Sequence, residues 1–138
     1  MGVPSAVDLL VAAARAGLDR VQPADLAAES LAGALVVDIR PVEQRQLDGE
    51  LPGAVVVDRN VLEWRLDPSS PYRIAEMTTS DRRVIVVCNE GYGSSLAAAT
   101  LRQLGLARAT DLVGGFQALL ALSGHDTAAI SGGAAPPT

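Results

Sequence analysis

The sequence contains no lysine: all 11 of its basic residues are arginine. That excludes chemistry resting on a lysine amine, whether a Schiff base or the phosphate-gripping lysine of a P-loop. The absence itself is read as a compositional bias of the source rather than a functional demand. Cysteine and histidine are nearly as scarce, with one of each, Cys88 and His125. One cysteine forms no intrachain disulfide, and one Cys with one His is too few for a four-ligand zinc site, so no metal and no cofactor is expected. Aromatic residues make up 3% of the chain while apolar residues make up 49%. The core must therefore be built from Val, Leu, Ala and Ile, which suits a sheet covered by Ala/Leu-rich helices better than an aromatic-cored sandwich.

Positive charge is also short. The formal net charge of −5 leaves no basic surplus to neutralise phosphates, so nucleic acid is not an expected partner. No apolar run approaches the ~18–20 residues that a membrane span needs, and no membrane partner is expected. The N-terminus MGVPSAVDLLVAAARAGLDR lacks a basic leading region, carries Asp8 within its apolar stretch and has Ala6 where a myristoylation signal wants Ser or Thr. It reads as an amphipathic helix rather than a targeting segment, and the expected location is the cytoplasm.

What is present is enough for one domain of 138 residues. Val7, Leu10, Val11 and Ala14 recur at helical spacing and predict a helix over residues 5–16, stopped at Gly17. Residues 19–22 form a candidate short strand, and Pro23 opens a short helix that ends at Gly33. The continuous apolar run Ala34–Ile39 predicts a strand buried on both faces. Residues 41–49 form a short helix or loop, Leu51–Ala54 a turn and Val55–Asp58 another strand. Asn60–Leu66 has the spacing of a helix whose apolar face, Trp64 included, points to the core. Residues 72–80 are expected to be loop, or loop with one helical turn. Arg83–Val87 is the clearest strand, followed by a Gly-rich loop and a helix over Leu96–Leu104. Ala109–Leu112 is a last strand, Gly114-Gly115 a turn and Phe116–Leu122 a last helix. Residues 124–138, small, polar and rich in Gly and Pro, are expected to be a disordered tail containing His125. Alternating strands and helices make this an α/β domain with a central, mainly parallel sheet of about five strands flanked by helices in three layers.

The chemistry is concentrated at the end of the strongest strand. There Cys88 opens a six-residue loop, Asn89-Glu90-Gly91-Tyr92-Gly93-Ser94, before Ser95 begins a helix. Ligands of open α/β sheets bind beyond the carboxyl ends of the strands. Gly91 and Gly93 permit backbone conformations closed to other residues, so successive N–H groups can turn inward toward an anion. With the positive end of the following helix, they are expected to hold Cys88 as the nucleophilic thiolate. Ser94 and Ser95 are read as helix N-caps whose hydroxyls can also donate to a bound anion.

Several motifs in order resemble the rhodanese family over about residues 18–122. Val37-Asp38-Ile39-Arg40 looks like its Asp-x-Arg strand end, with Glu43 in the acidic stretch that follows. Gly49-Glu50-Leu51-Pro52-Gly53-Ala54 resembles its Gly-His-Ile-Pro-Gly-Ala turn, with Glu50 in place of the histidine. Cys88 matches the catalytic cysteine, and Asp111-Leu112-Val113-Gly114-Gly115 resembles the closing Leu-x-Gly-Gly motif. The resemblance implies a rhodanese-like domain over 18–123, which leaves the helix read above as an N-terminal extension over 1–17. It further implies a sulfurtransferase in which Cys88 takes sulfur from a donor such as thiosulfate, becomes a persulfide, and passes the sulfur to cyanide or a thiol.

With no second cysteine, that sulfur must leave to another molecule, a protein acceptor included. Family members often carry a basic residue directly after the cysteine, where this chain has Asn89 and Glu90. Related phosphatases and arsenate reductases carry an Arg six positions after the cysteine, where this chain has Ser94, so their chemistry is not expected. Arg40 is expected to make a structural ion pair with Asp38 or Glu43. Arg59 faces either the substrate or solvent, and Tyr92 either walls the site or meets a partner. The competing reading is a carrier or docking module that holds sulfur or an anion without turning over small donors.

Overall fold

The protein is described here by a computed structural model that covers residues 2–130, with side chains as far as Gly124. A first helix, α1 (Ala6–Ala16), begins at a capping box: Asp8 N–H donates to the Ser5 hydroxyl and Ser5 N–H to the Asp8 carboxylate. After a 3₁₀ turn at Pro23–Asp25 come α2 (Leu26–Leu31), β1 (Leu35–Asp38), α3 (Val42–Asp48) and β2 (Val55–Val56). A second 3₁₀ turn at Arg59–Val61 leads into α4 (Leu62–Leu66). The remaining elements are β3 (Val84–Val87), α5 (Gly93–Gln103), β4 (Ala109–Asp111) and α6 (Gly115–Ile130).

The strands form one parallel sheet in the order β2-β1-β3-β4. Beyond β4, Val21 adds a one-residue bridge to Leu112: its N–H donates to the Asp111 carbonyl and its carbonyl accepts from Val113. The expected short strand at 19–22 is thus reduced to a single bridging residue, which completes a sheet of about five members. All strands run the same way, so Asp38, Cys88 and Asp111 arrive at one edge.

The apolar runs are buried on both faces because successive side chains alternate. Leu35, Val37, Val84 and Val86 pack with Leu62 and Leu66 of α4 and with Ala97, Ala98 and Leu101 of α5. Val36, Ile85 and Val87 point the other way, toward Leu26 of α2, Phe116 of α6 and Leu112. Three layers result, and α1 lies outside them against α5, with Val11 buried.

Two expectations need correction. Trp64, expected in the core, is 56% exposed, because Leu62 and Leu66 take the inward positions of this short helix. Residues 72–80 are loop, as expected, but Ile74 and Met77 turn inward from it. The last helix does not stop at Leu122: α6 continues to Ile130, into the segment expected to be tail, while residues 131–138 of that segment lie outside the described residues. Among the described residues no helix is long and apolar enough to cross a membrane.

The Asp38–Arg40 pair holds one end of the sheet edge. Both side chains are fully buried, and the guanidinium donates to both Asp38 oxygens at 2.9–3.2 Å and to the Gly49 carbonyl at 2.9 Å. It also lies 3.7 Å from the centre of the Phe116 ring. Removing one partner of such a pair leaves a buried charge unanswered. Arg40→Met is expected to lower unfolding free energy in urea by about 3–5 kcal/mol; a loss below about 1 kcal/mol would show that the pair does not anchor the fold.

Candidate active site

Cys88 follows the last residue of β3 and is half-buried. Its sulfur accepts two backbone N–H groups, from Gly91 at 3.1 Å and from Ser94 at 3.3 Å. The second belongs to the first turn of α5, where N–H groups have no partner within the helix and carry the positive end of its dipole. The loop is held in this shape from behind. Phe116 N–H donates to the Cys88 carbonyl at 2.8 Å and Gln117 N–H to the Asn89 carbonyl at 3.0 Å. In planar trans peptides this turns the N–H groups of Asn89 and Glu90 away from α6. Gln117 also donates its side-chain amide to Asn89 Oδ1 and to Asp48. An arrangement of this kind stabilises a negatively charged sulfur and orients it for attack.

Two glycines make the close approach possible. Gly91 has φ +87, and a Cβ there would stand 2.7 Å from the Gly114 nitrogen. Gly115 has φ +63, and a Cβ there would stand 2.5 Å from the Cys88 carbonyl oxygen. Gly93, expected to share this role, does not: its φ is ordinary, no heavy atom stands within 4 Å of where its Cβ would be, and it starts α5. The loop is therefore shorter than expected, Asn89–Tyr92, with the helix beginning two residues before Ser95.

The serines also differ from expectation. Tyr92 is the N-cap residue, with no side-chain capping bond. Ser94 and Ser95 are fully buried within the first turn, and each donates its hydroxyl at 2.8 Å to the same oxygen of Asp111. Neither presents its hydroxyl to a substrate anion. Glu90 and Tyr92 are exposed. Arg59 pairs with Glu63 one helical turn away, at 2.9 Å.

Asp111 was not among the expected site residues, nor were Arg15 and Arg20. Its carboxylate is fully buried at the end of β4, and Arg20 grips it with two N–H groups at 2.8 and 3.1 Å. Arg20 also donates to the Gly91 carbonyl at 3.0 Å. Arg15, from the end of α1, donates to the same carbonyl at 2.8 Å and to the Ser95 hydroxyl at 3.0 Å. One sequence signal could have found Asp111: it is a carboxylate inside a run, Ala109–Leu112, that otherwise reads as a buried strand. Nothing local marks Arg15 or Arg20, which stand 76 and 71 positions from Gly91.

The segment that carries Arg20 is itself tied down. Asp19 pairs with Arg83 and Arg102, both at 2.9 Å. Partial burial pushes its carboxyl upward, but the hydrogen bond and charge of Arg83, with the charge of Arg102, outweigh that and hold it below the usual range.

Gly115→Ala forces its Cβ into the carbonyl that α6 holds in place. The variant is expected to lose about 1–3 kcal/mol of stability and to alkylate at Cys88 at least about tenfold more slowly, since the donors to the sulfur shift with the loop. Alkylation at the unchanged rate in a folded variant would show that the loop geometry does not govern the thiol.

Residues 22–122 match the rhodanese-like domain family. The chain is 33% identical over 81 residues to the adenylyltransferase and sulfurtransferase UBA4 of Candida albicans, covering 59% of this chain but 18% of that protein. It thus spans under a fifth of that relative's length. Among solved structures, a protein of unknown function from Rhodopseudomonas palustris, described as a possible tyrosine phosphatase, has a TM-score of 0.77 at 28% identity, over 89% of this chain and 95% of that one. The human single-domain sulfurtransferase TSTD1 has the same fold, with a TM-score of 0.63 at 23% identity over 74% and 95% of the two chains. The match begins just after the Val21 bridge, ends within the last helix and includes the strand end, the cysteine loop and the Gly-Gly turn that closes on it; the chain belongs to the rhodanese-like domain family.

Proposed function

We propose that this protein is a sulfurtransferase that carries sulfur on Cys88. The observation that carries the reading is the pair of N–H donors aimed at the Cys88 sulfur, from Gly91 and Ser94. The thiolate attacks the outer sulfur of a sulfane donor such as thiosulfate. The new bond forms to Sγ while the donor's sulfur–sulfur bond breaks, and its electron pair leaves on sulfite. Cys88 is then a persulfide anion, and its terminal sulfur needs N–H donors as the thiolate did. A nucleophilic acceptor, cyanide or a thiol, attacks that terminal sulfur and returns Cys88 as thiolate. The chain has one cysteine, so no internal thiol can take the sulfur and the acceptor is a second molecule. The sulfurtransferase named in the Candida relative and in the human structure agrees with this class of reaction.

The phosphatase suggested for the Rhodopseudomonas protein does not suit this loop. Phosphoryl chemistry on a cysteine loop uses a guanidinium to grip the oxyanion bidentately. The sixth position after Cys88 is Ser94, whose hydroxyl is committed to buried Asp111.

Wild type is expected to release thiocyanate and sulfite from thiosulfate and cyanide, and Cys88→Ser to release none above background. Equal rates from the two chains would overturn the reading. Glu90, exposed on the loop, places a negative charge where an anionic donor approaches. Glu90→Gln is expected to raise kcat/KM for thiosulfate by about two- to fivefold at low ionic strength, with the gain fading as salt screens the charge. A gain that is independent of salt would contradict an electrostatic cause.

A further inference from the structure

The cysteine loop has no cation of its own: residues 89–95 contain no Arg and no His, and the chain has no Lys, while Glu90 adds a negative charge. Among the described residues, the charged groups that face the loop come from four elements, one of them α3, whose Asp48 reaches Asn89 through the Gln117 amide. Glu90 lies on the loop itself, Asp111 comes from β4, and Arg15 and Arg20 come from the segment before residue 22. Arg20 and Asp111 neutralise each other through a two-pronged pair. Arg15 differs: among the described residues it makes no ion pair, and its contacts are the Gly91 carbonyl, the Ser95 hydroxyl and the Tyr92 ring, whose centre is 5.3 Å from the guanidinium carbon. Arg15 thus embraces three residues of the segment that supplies the N–H donors to Cys88.

We propose that Arg15 is a positioning residue for Cys88, the N-terminal helix supplying the positive charge that the cysteine loop lacks. The proposal rests on the reading of Cys88 as the nucleophile. Arg15 lies outside the family match of residues 22–122, so α1 becomes part of the active site rather than an appendage to it. Its action runs through Gly91. Gly91 N–H donates to the sulfur while the Gly91 carbonyl is held from behind by two guanidinium groups, so the peptide units on both sides of its Cα are fixed. A full positive charge on that carbonyl also favours an anion on the opposite side of the loop.

The test is the rate of Cys88 alkylation by iodoacetamide across pH in the full-length chain, for wild type, Arg15→Gln and Arg15→Lys. Arg15→Gln is expected to react about three- to tenfold more slowly than wild type at pH 7, and at the wild-type rate at pH 10. Arg15→Lys, which keeps the charge but not the two-acceptor grip or the stacking on Tyr92, is expected to react at pH 7 at a rate between those of Arg15→Gln and wild type. An Arg15→Gln profile that superimposes on wild type at every pH overturns the proposal. So does a rate lowered by the same factor at every pH, which is the mark of altered access or packing. Should Arg15→Gln fail to fold, Arg15→Lys still decides: a folded lysine variant as slow at pH 7 as Ala substitution of Gly115 is expected to be contradicts a role for the charge. A wild-type chain with the expected alkylation pattern but no thiocyanate release would leave Arg15 its role and remove the sulfurtransferase reading alone.

Discussion

The Asp111 carboxylate is fully enclosed, and a buried carboxylate is tolerable only when its oxygens are met by hydrogen bonds and opposite charge. The carboxylate and the groups that meet it come from three separate parts of the chain. Arg20 brings in the segment that follows α1, Ser94 and Ser95 bring the first turn of α5, and Asp111 itself sits at the end of β4. Satisfying one carboxylate thereby fixes where α5 begins. Because Ser94 N–H is one of the two donors to the Cys88 sulfur, the same constraint fixes half of the anion cradle.

The other half is fixed by α6. The first N–H groups of α6 take the carbonyls of Cys88 and Asn89, and Gly91 presses against Gly114 with no room for a side chain. The cysteine loop is held between two helix starts: one donates to its sulfur and the other to its carbonyls. Such a loop holds its N–H groups in place without a ligand, so under the proposed reaction little reorganisation would accompany the change from thiolate to persulfide. Preorganisation here depends on backbone atoms, which explains how a site with Asn89 and Glu90 beside the cysteine can still favour an anion.

Much of this was legible in the sequence because it was local or repetitive. The run Ala34–Ile39 and the run Arg83–Val87 announce buried parallel strands, and the Gly-rich turn after Cys88 announces a cysteine at a strand's carboxyl end. The Asp38–Arg40 pair was also readable, since its members are two residues apart. What escaped was long-range or depended on which way a side chain turns. Ser94 and Ser95 have the residue type of helix caps, but Asp111 draws their hydroxyls inward, a contact 16–17 residues away along the chain. Gly93 looked equivalent to Gly91 by type, yet only Gly91 meets another backbone. Trp64 was assigned to the core by its apolar neighbours, whereas a five-residue helix has room for two inward positions and Leu62 and Leu66 occupy them. Arg15 and Arg20 carry no motif, and their place at the loop follows only from the docking of α1 on α5.

The central claim is that sulfur rides on Cys88. After incubation with thiosulfate and removal of excess reagent, the intact chain is predicted to gain the mass of one sulfur atom, located on the peptide that contains Cys88 and discharged by cyanide. An unchanged mass, or a sulfur that cyanide cannot remove, would contradict the account.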